Sequence, residues 1–461
     1  MATITPPALQ RRSQVSHKAS RRPHIVIVGA GFGGLTAAQA LGGAPAAVTV
    51  IDHSNHFVFQ PLLYQVATAE LSPADISAPI RSVLRRWRNI RTLLGNVTSV
   101  DTNRRVVIAR DQTKGRDHLI PYDYLVLATG AGQSYFGHDD WAAWAPGLKN
   151  NDDATRIRRR ILLAFEEAEL EPDSQRARAL MTFIVVGGGP TGVELAGAIS
   201  ELARHAIRHD FRHIDTAQTR VLLVEAGPRL LPQFPEELSR KAKRALEHMG
   251  VEVRLGEAVS DIDETGAKIG GEWTPAGNVI WAAGVSASPA AAWVGAPADR
   301  AGRARVNGDL TAPGQPAIYI IGDTASTTGK DGQPLPGVAP VAMQQGRYVA
   351  HVLRQRIAAG DASAPVAPFH YFDRGYLATI GRTHAVGTIG PLRLSGPIAL
   401  LVWSGVHISY LIGFRNRILV LAQWFWKYLT FQRSARLITD SRGADEPRGG
   451  KRELTSASSV Q

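Results

Sequence analysis

The 461-residue chain contains no cysteine. Structural disulfides, thiolate metal sites and redox-active cysteine pairs are therefore excluded. No nucleophile set or metal-ligand pattern is visible either, so no metal is expected. Acidic residues are missing from residues 1–22, where Arg11, Arg12, Lys18, Arg21 and Arg22 give a charge of +5. The same stretch lacks the apolar run of a secretory signal and is expected to be a disordered basic tail, either solubilising or lipid-contacting. A second basic region, residues 415–461, sets nine Lys or Arg against Asp440, Asp445, Glu446 and Glu453. With a formal charge of +12 overall, the long middle of the chain is nearly neutral. Basic ends suit nucleic acid or a lipid leaflet. Neither end has a recognisable nucleic-acid-binding fold, and the C-terminal one is too apolar, so no nucleic-acid partner is expected. The rest of the composition is ordinary, 44% hydrophobic and 20% charged, over a length that calls for two or three domains.

Two stretches share one plan. Ile25–Val28 reads as a buried strand, followed by Gly29-x-Gly31-x-x-Gly34, a helical run Leu35–Leu41 and a second strand, "VTVID", ending on Asp52. This is the order a dinucleotide site needs. The glycines allow a tight turn and close backbone approach, the helix N-terminus faces a pyrophosphate, and the acid accepts from ribose hydroxyls. Phe183–Val186, Gly187-x-Gly189-x-x-Gly192 and the helical "VELAGAISELARHA" repeat it, with Glu225 closing the strand "RVLLVE". The surplus length before Glu225 falls in "RHDFRHIDTAQT", read as an insertion that leaves the unit intact. A carboxylate at this strand end favours NADH over NADPH by repelling the 2′-phosphate, although Arg229 lies close enough to leave NADPH open.

Two nucleotide sites on one chain point to electrons passing between two nucleotides, a resident flavin and a nicotinamide. "YDYLVLATGA" and "AIYIIGDTA" are further buried strands ending in small-residue turns. With the first glycine turn, they resemble the flavoproteins with two Rossmann-like dinucleotide-binding domains, an α/β, glutathione-reductase-like fold. The resemblance implies non-covalent FAD at Gly29, Gly31, Phe32, Gly33, Gly34, Asp52, Ala128, Thr129, Gly130 and Asp323. It implies NADH at Gly187, Gly189, Pro190, Thr191, Gly192, Glu194, Glu225, Ala283 and Gly284. The disulfide reductases, sulfide:quinone reductases and NADH peroxidases of this fold need cysteine, so the acceptor here takes electrons directly from flavin.

"HFVFQPLLYQVATAELSPADISAPIR", "GPRLLPQFP", "WAAGV", "GVAPVAMQQGRYVA", "GYLATIGR" and "GFRNRILVLAQWFWKYLTFQRSARLIT" resemble the type II, non-pumping NADH:quinone oxidoreductases over about residues 23–440. That resemblance implies FAD-binding segments at 23–150 and 291–390, the second with a quinone-site turn, and an NADH-binding domain at 151–290. A membrane-anchoring helical region, 391–440, and a disordered tail, 441–461, complete the division. Glu194 then matches a glutamate beside the nicotinamide–flavin contact; the alternative is a polar cap of its helix's first turn. Gln344 matches the second glutamine of the quinone pattern A-Q-x-A-x-Q, whose first glutamine is here Pro340, with Gln345 or a backbone amide as substitute. His53 and His56 invite roles as proton donors, against the plainer reading of loop histidines. A carrier-protein reductase of the same fold and a non-catalytic NADH/FAD redox sensor are the rival functions.

Gly396–Phe414 carries no charge, but its glycines and Pro397 weaken it as a membrane-spanning helix. Leu411, Phe414, Ile418, Leu421, Phe425, Tyr428 and Gln432 recur at helical spacing, flanked by Arg415, Arg417, Lys427, Arg433 and Arg436, with Trp403, Trp424 and Trp426 for the headgroup level. This reads as a monotopic anchor on the cytoplasmic side of the inner membrane, where a quinone partner dissolves. A dimer-packing helix is the alternative, and a homodimer is expected.

Overall fold

A computed structural model of the chain describes residues 22–330, 332–430, 433 and 435–438. The expected tails, apart from Arg22, lie outside the described residues, as does Gln432. Strand β1 (His24–Val28), helix α1 (Phe32–Ala40) and strand β2 (Ala47–Asp52) open the chain. Helix α2 (Leu63–Ala67) and strands β3 (Ile90–Leu94) and β4 (Tyr124–Leu127) follow. Ile25, Val26 and Ile27 are fully buried, which suits β1 to the centre of a sheet covered on both faces. It pairs in parallel with β2 on one side and β4 on the other. The chain therefore reverses direction across the sheet at β1, and the first glycine turn sits at that switch point.

Helix α3 (Asn151–Leu170) leads into a second copy of the plan: β5 (Thr182–Val186), α4 (Pro190–Glu201), β6 (Arg220–Glu225), β7 (Val251–Leu255) and β8 (Asn278–Trp281). These form a four-stranded parallel sheet in the order β7-β6-β5-β8. The residues read as an insertion lie between α4 and β6, and the Glu169 carboxylate pins them by accepting from the N–H groups of Arg212, His213 and Ile214.

The chain then returns to the first sheet, adding β9 (Gln315–Ile320) beside β4. Ala131–Gln133 and Val285–Ala287, the outward and return passages between the sheets, pair antiparallel with each other. Helix α5 (Ala339–Ala359) lies on α1, so close that a Cβ on Gly346 would stand 2.4 Å from the Gly33 carbonyl oxygen. A hairpin, β10 (Leu377–Ile380) with β11 (His384–Ile389), precedes helices α6 (Gly396–Tyr410) and α7 (Phe414–Thr430).

No described helix is long and apolar enough to cross a membrane. The expected apolar stripe needs two corrections. Leu411 ends α6 and is buried, because the turn between the helices points it inward. Trp403 is buried in the core and Trp424 is half-buried with its indole N–H bonded to Gln65, so only Trp426 of the three is exposed. Phe414, Ile418, Leu421, Phe425 and Tyr428 do share an exposed face.

Candidate redox site

The two glycine turns are built alike, atom for atom. The Gly29 N–H donates to the Ile51 carbonyl and the Gly187 N–H to that of Val224, both at 2.8 Å. Gly29 and Gly187 have φ of +94° and +113°, a region that favours glycine. A Cβ on Gly34 would lie 1.8 Å from the Gly29 oxygen, and one on Gly192 would lie 1.9 Å from that of Gly187. Gly31 and Gly189, which cap α1 and α4, have nothing within 4 Å of an added Cβ. Two helix N-termini thus face open space through glycine, the arrangement that admits a pyrophosphate. Phe32 and Gly33 begin α1; the Phe32 ring packs against Phe57 and Phe59, leaving its backbone to the turn. Pro190 and Thr191 begin α4, where a missing proline N–H costs nothing.

Asp52 and Glu225 are matched in the same way. Asp52 accepts from the N–H groups of Ala30 (2.6 Å) and Ser54 (2.7 Å). Glu225 accepts from those of Gly188 and Gly227, both at 2.6 Å. Arg229, which left NADPH open, donates its guanidinium to the carbonyls of Phe234 (2.9 Å) and Pro232 (2.7 Å). Ala128 and Ala282 close the backs of the turns, and Ala283 follows at the end of β8. Gly130 and Gly284 carry φ of +70° and +74° in the two passages that follow. Thr129 bonds Ser288 and Thr324, tying the passages to the Asp323 turn.

The start of α4 and the first unit meet at a cavity of about 100 Å³. Thr191 and Glu194 line it from α4; Gln60, Leu63, Tyr64 and Lys149 line it from the first unit. Burial drives the Glu194 carboxyl up to about 8, against one N–H···O bond of 3.3 Å from Thr379. Tyr64 is held well above its ordinary range, by burial first and then by Glu194 and Glu70. Its hydroxyl bonds Thr379 Oγ1 at 2.9 Å and accepts from Gln65 Nε2 at 3.0 Å. Asp323 is raised by burial, with Lys149 and Arg303 pulling it back. A larger hollow of about 330 Å³ around Asn307 and Asp309 includes neither glycine turn, and the Asp309 carboxylate there is closed on Arg356 at 2.7 Å.

The remaining sequence-derived residues fall outside this cavity lining. Pro340 sits at the first turn of α5. Gln344 exchanges two 2.9 Å hydrogen bonds with the Phe372 backbone. Gln345 is fully buried and accepts from the Gly322 N–H at 2.6 Å, which braces the Asp323 turn. His56 is tied to Asn55 and Asn151, and His53 is exposed beside Asp52. Tyr64 and Gln60 lie within the stretch that carried the family resemblance but were not singled out. Lys149, in "GLKN", carried no signal at all.

The family model for pyridine nucleotide-disulphide oxidoreductases matches residues 23–346. Over 431 residues the chain is 44% identical to the type II NADH:quinone oxidoreductase Ndh of Mycobacterium tuberculosis, covering 92% of this chain and 91% of the relative. It is 27% identical to the internal alternative NAD(P)H-ubiquinone oxidoreductase A1 of Arabidopsis thaliana mitochondria, over 89% of this chain and 85% of that one. In fold it resembles NDH2 from Plasmodium falciparum, solved in complex with NADH. The TM-score is 0.82 and the identity 21%, across 91% of this chain and 100% of the other.

Proposed function

The chain belongs to the type II NADH:quinone oxidoreductases, within the pyridine nucleotide-disulphide oxidoreductase family, and we propose a division of labour between its two glycine turns. The chain oxidises NADH and delivers both electrons to a quinone. The turn at Gly29–Gly34, with Asp52 and Asp323, holds FAD; the turn at Gly187–Gly192, with Glu225, Ala283 and Gly284, receives NADH. Bound FAD supplies the carrier that accepts a hydride and releases electrons to the quinone. One observation carries this reading: Thr191 and Glu194 of the second turn share a cavity with residues of the first unit.

The protein's own groups bind, orient and hold protons. Gly31 and Gly189 let the helix N-termini approach the pyrophosphates. Glu194, titrating near 8, keeps its proton at neutral pH and presents a neutral acid to the cavity. Glu225 repels a 2′-phosphate, and the Arg229 fork is already occupied by carbonyls, which supports a preference for NADH. On the acceptor side, Pro340, Gln344 and Gln345 border the quinone approach. Gln344 acts there through the Phe372 backbone it holds, and Gln345 through the Asp323 turn.

The outer face of α6 and α7 is the membrane-binding surface. Ile398, Leu401, Phe414, Ile418, Leu421, Phe425 and Trp426 are each at least half exposed, beside Arg415 and Arg417. The protein lies on the cytoplasmic leaflet as a homodimer, a state that sedimentation in detergent would test.

The decisive experiment is the absorption spectrum of the purified protein during addition of NADH and then of a quinone. A flavin band that bleaches with NADH and returns with quinone supports the reading, and denaturation should release FAD. Bleaching without return under quinone would favour a carrier-protein reductase or a sensor, and a colourless folded protein would overturn the assignment.

A further inference from the structure

Lys149 belongs to neither glycine turn. Its backbone is fixed from both sides: the N–H donates to Asp153 Oδ2 at 2.9 Å and the carbonyl accepts from Gln60 Nε2 at 3.2 Å. Asp153 also closes the capping box with Asn150 at the start of α3, so a whole helix N-terminus holds the lysine in place. From there the side chain lines the same cavity as Tyr64, Thr191 and Glu194.

Among the described residues, no hydrogen bond or ion pair holds the Lys149 ammonium, and none holds the Asp323 carboxylate. Burial lowers Lys149, with Asp323 the first charge opposing it. The lysine likewise opposes the rise of Asp323. Both side chains are half-buried, and each shifts the other without a contact between them. Such a gap suits a polar ligand that meets both groups, and Asp323 is the residue assigned above to FAD.

We propose that the Lys149 ammonium is the electrostatic counter-charge of the reduced flavin and sets its reduction potential. The proposal rests on the reading that Gly29–Gly34, Asp52 and Asp323 hold FAD, and adds that the flavin reaches the cavity Lys149 lines. Hydride transfer from NADH brings two electrons and one hydrogen nucleus, so it adds one negative charge to the flavin and leaves NAD⁺. The quinone later departs with that hydrogen, both electrons and one proton from solvent, and the charge is removed again. A fixed cation in a partly dehydrated cavity favours the charged, reduced form over the oxidised one. Glu194 cannot oppose this at neutral pH, because it keeps its proton.

The test compares flavin-loaded wild type with Lys149→Met, Lys149→Gln and Lys149→Arg. Midpoint potentials are read by spectroelectrochemistry, and sulfite affinity, which also places negative charge on the ring, by absorption. Lys149→Met should shift the reduction equilibrium at least about tenfold toward the oxidised form, about 30 mV for a two-electron couple. Sulfite binding should weaken in the same direction, and Lys149→Arg should retain most of both. If the methionine variant loses its flavin, Lys149→Gln decides by the same shift. Flavin-loaded charge-removing variants with unmoved potential and sulfite affinity would overturn the proposal alone. A wild type without flavin would overturn the FAD assignment and this proposal together.

Discussion

At the scale of single residues, two carboxylates make separable predictions. Glu194 ordinarily would titrate near 4.5, yet burial raises it to about 8. The folded state therefore favours the protonated form. Its stabilising contribution is full below about 4.5 and is lost as pH rises through about 8. Glu194→Gln, which cannot ionise, should gain stability over wild type between pH 5 and 8.5, on the order of a few kcal/mol. Denaturant titrations at the two pH values check this, and a pH-independent difference would refute the raised titration. Glu225 differs because both its oxygens accept backbone N–H bonds. Glu225→Gln should raise kcat/KM for NADPH relative to NADH by about tenfold, or about 1.4 kcal/mol. It should also lower the melting temperature, since the new amide turns a donor toward one of those N–H groups. If wild type already uses both nucleotides equally, the specificity assigned to Glu225 is wrong. Asp52 and Glu225 were legible in the sequence because each ends the strand that follows its glycine turn and helix. Lys149 was not, since only the folded chain sets it in one cavity with Thr191 and Glu194.

At the scale of elements, α7 is fastened to the body by charge as well as by apolar contact. Lys427 meets Glu70 at 2.7 Å and Glu201 at 3.4 Å, and Arg433 meets Glu201 at 3.6 Å. Both carboxylates are buried. Burial alone would raise Glu201, but Lys427 and Arg433, with the Arg382 N–H, hold it below its usual range. Removing one partner of such a cluster strands the other charge. Lys427→Met should therefore cost about 3–5 kcal/mol in chemical denaturation. Adding Glu70→Gln should recover much of the loss; a double variant no more stable than the single would show that the ion pair is not the cause. Sequence reading found Lys427 and Arg433 but assigned them to flank an anchor. Their partners lie far away in the chain, and helical periodicity says nothing about partners of that kind. The exposed face of α7 was legible for the opposite reason, because it depends only on spacing within one helix.

At the scale of the molecule, the outer face of α6 and α7 gives the clearest test of where the protein resides. Leu421→Ser and Phe425→Ser remove exposed apolar side chains without touching Lys427 or Trp424. Each should weaken co-sedimentation with anionic vesicles by roughly tenfold, in line with the transfer free energy of one apolar side chain. NADH oxidation with a water-soluble acceptor should be unchanged. Undiminished vesicle binding would move the membrane surface elsewhere. The doubled fold was readable from its two glycine turns, whereas the paired passages at Ala131–Gln133 and Val285–Ala287 were not, being short and free of any repeat. Those passages have a consequence for biosynthesis. All four strands of the second sheet leave the ribosome between β4 and β9, but in the first sheet Leu125 must wait for Ile318. The inserted unit can therefore close while the first sheet still has an unpaired edge at β4, which leaves the nascent chain exposed to aggregation until β9 arrives.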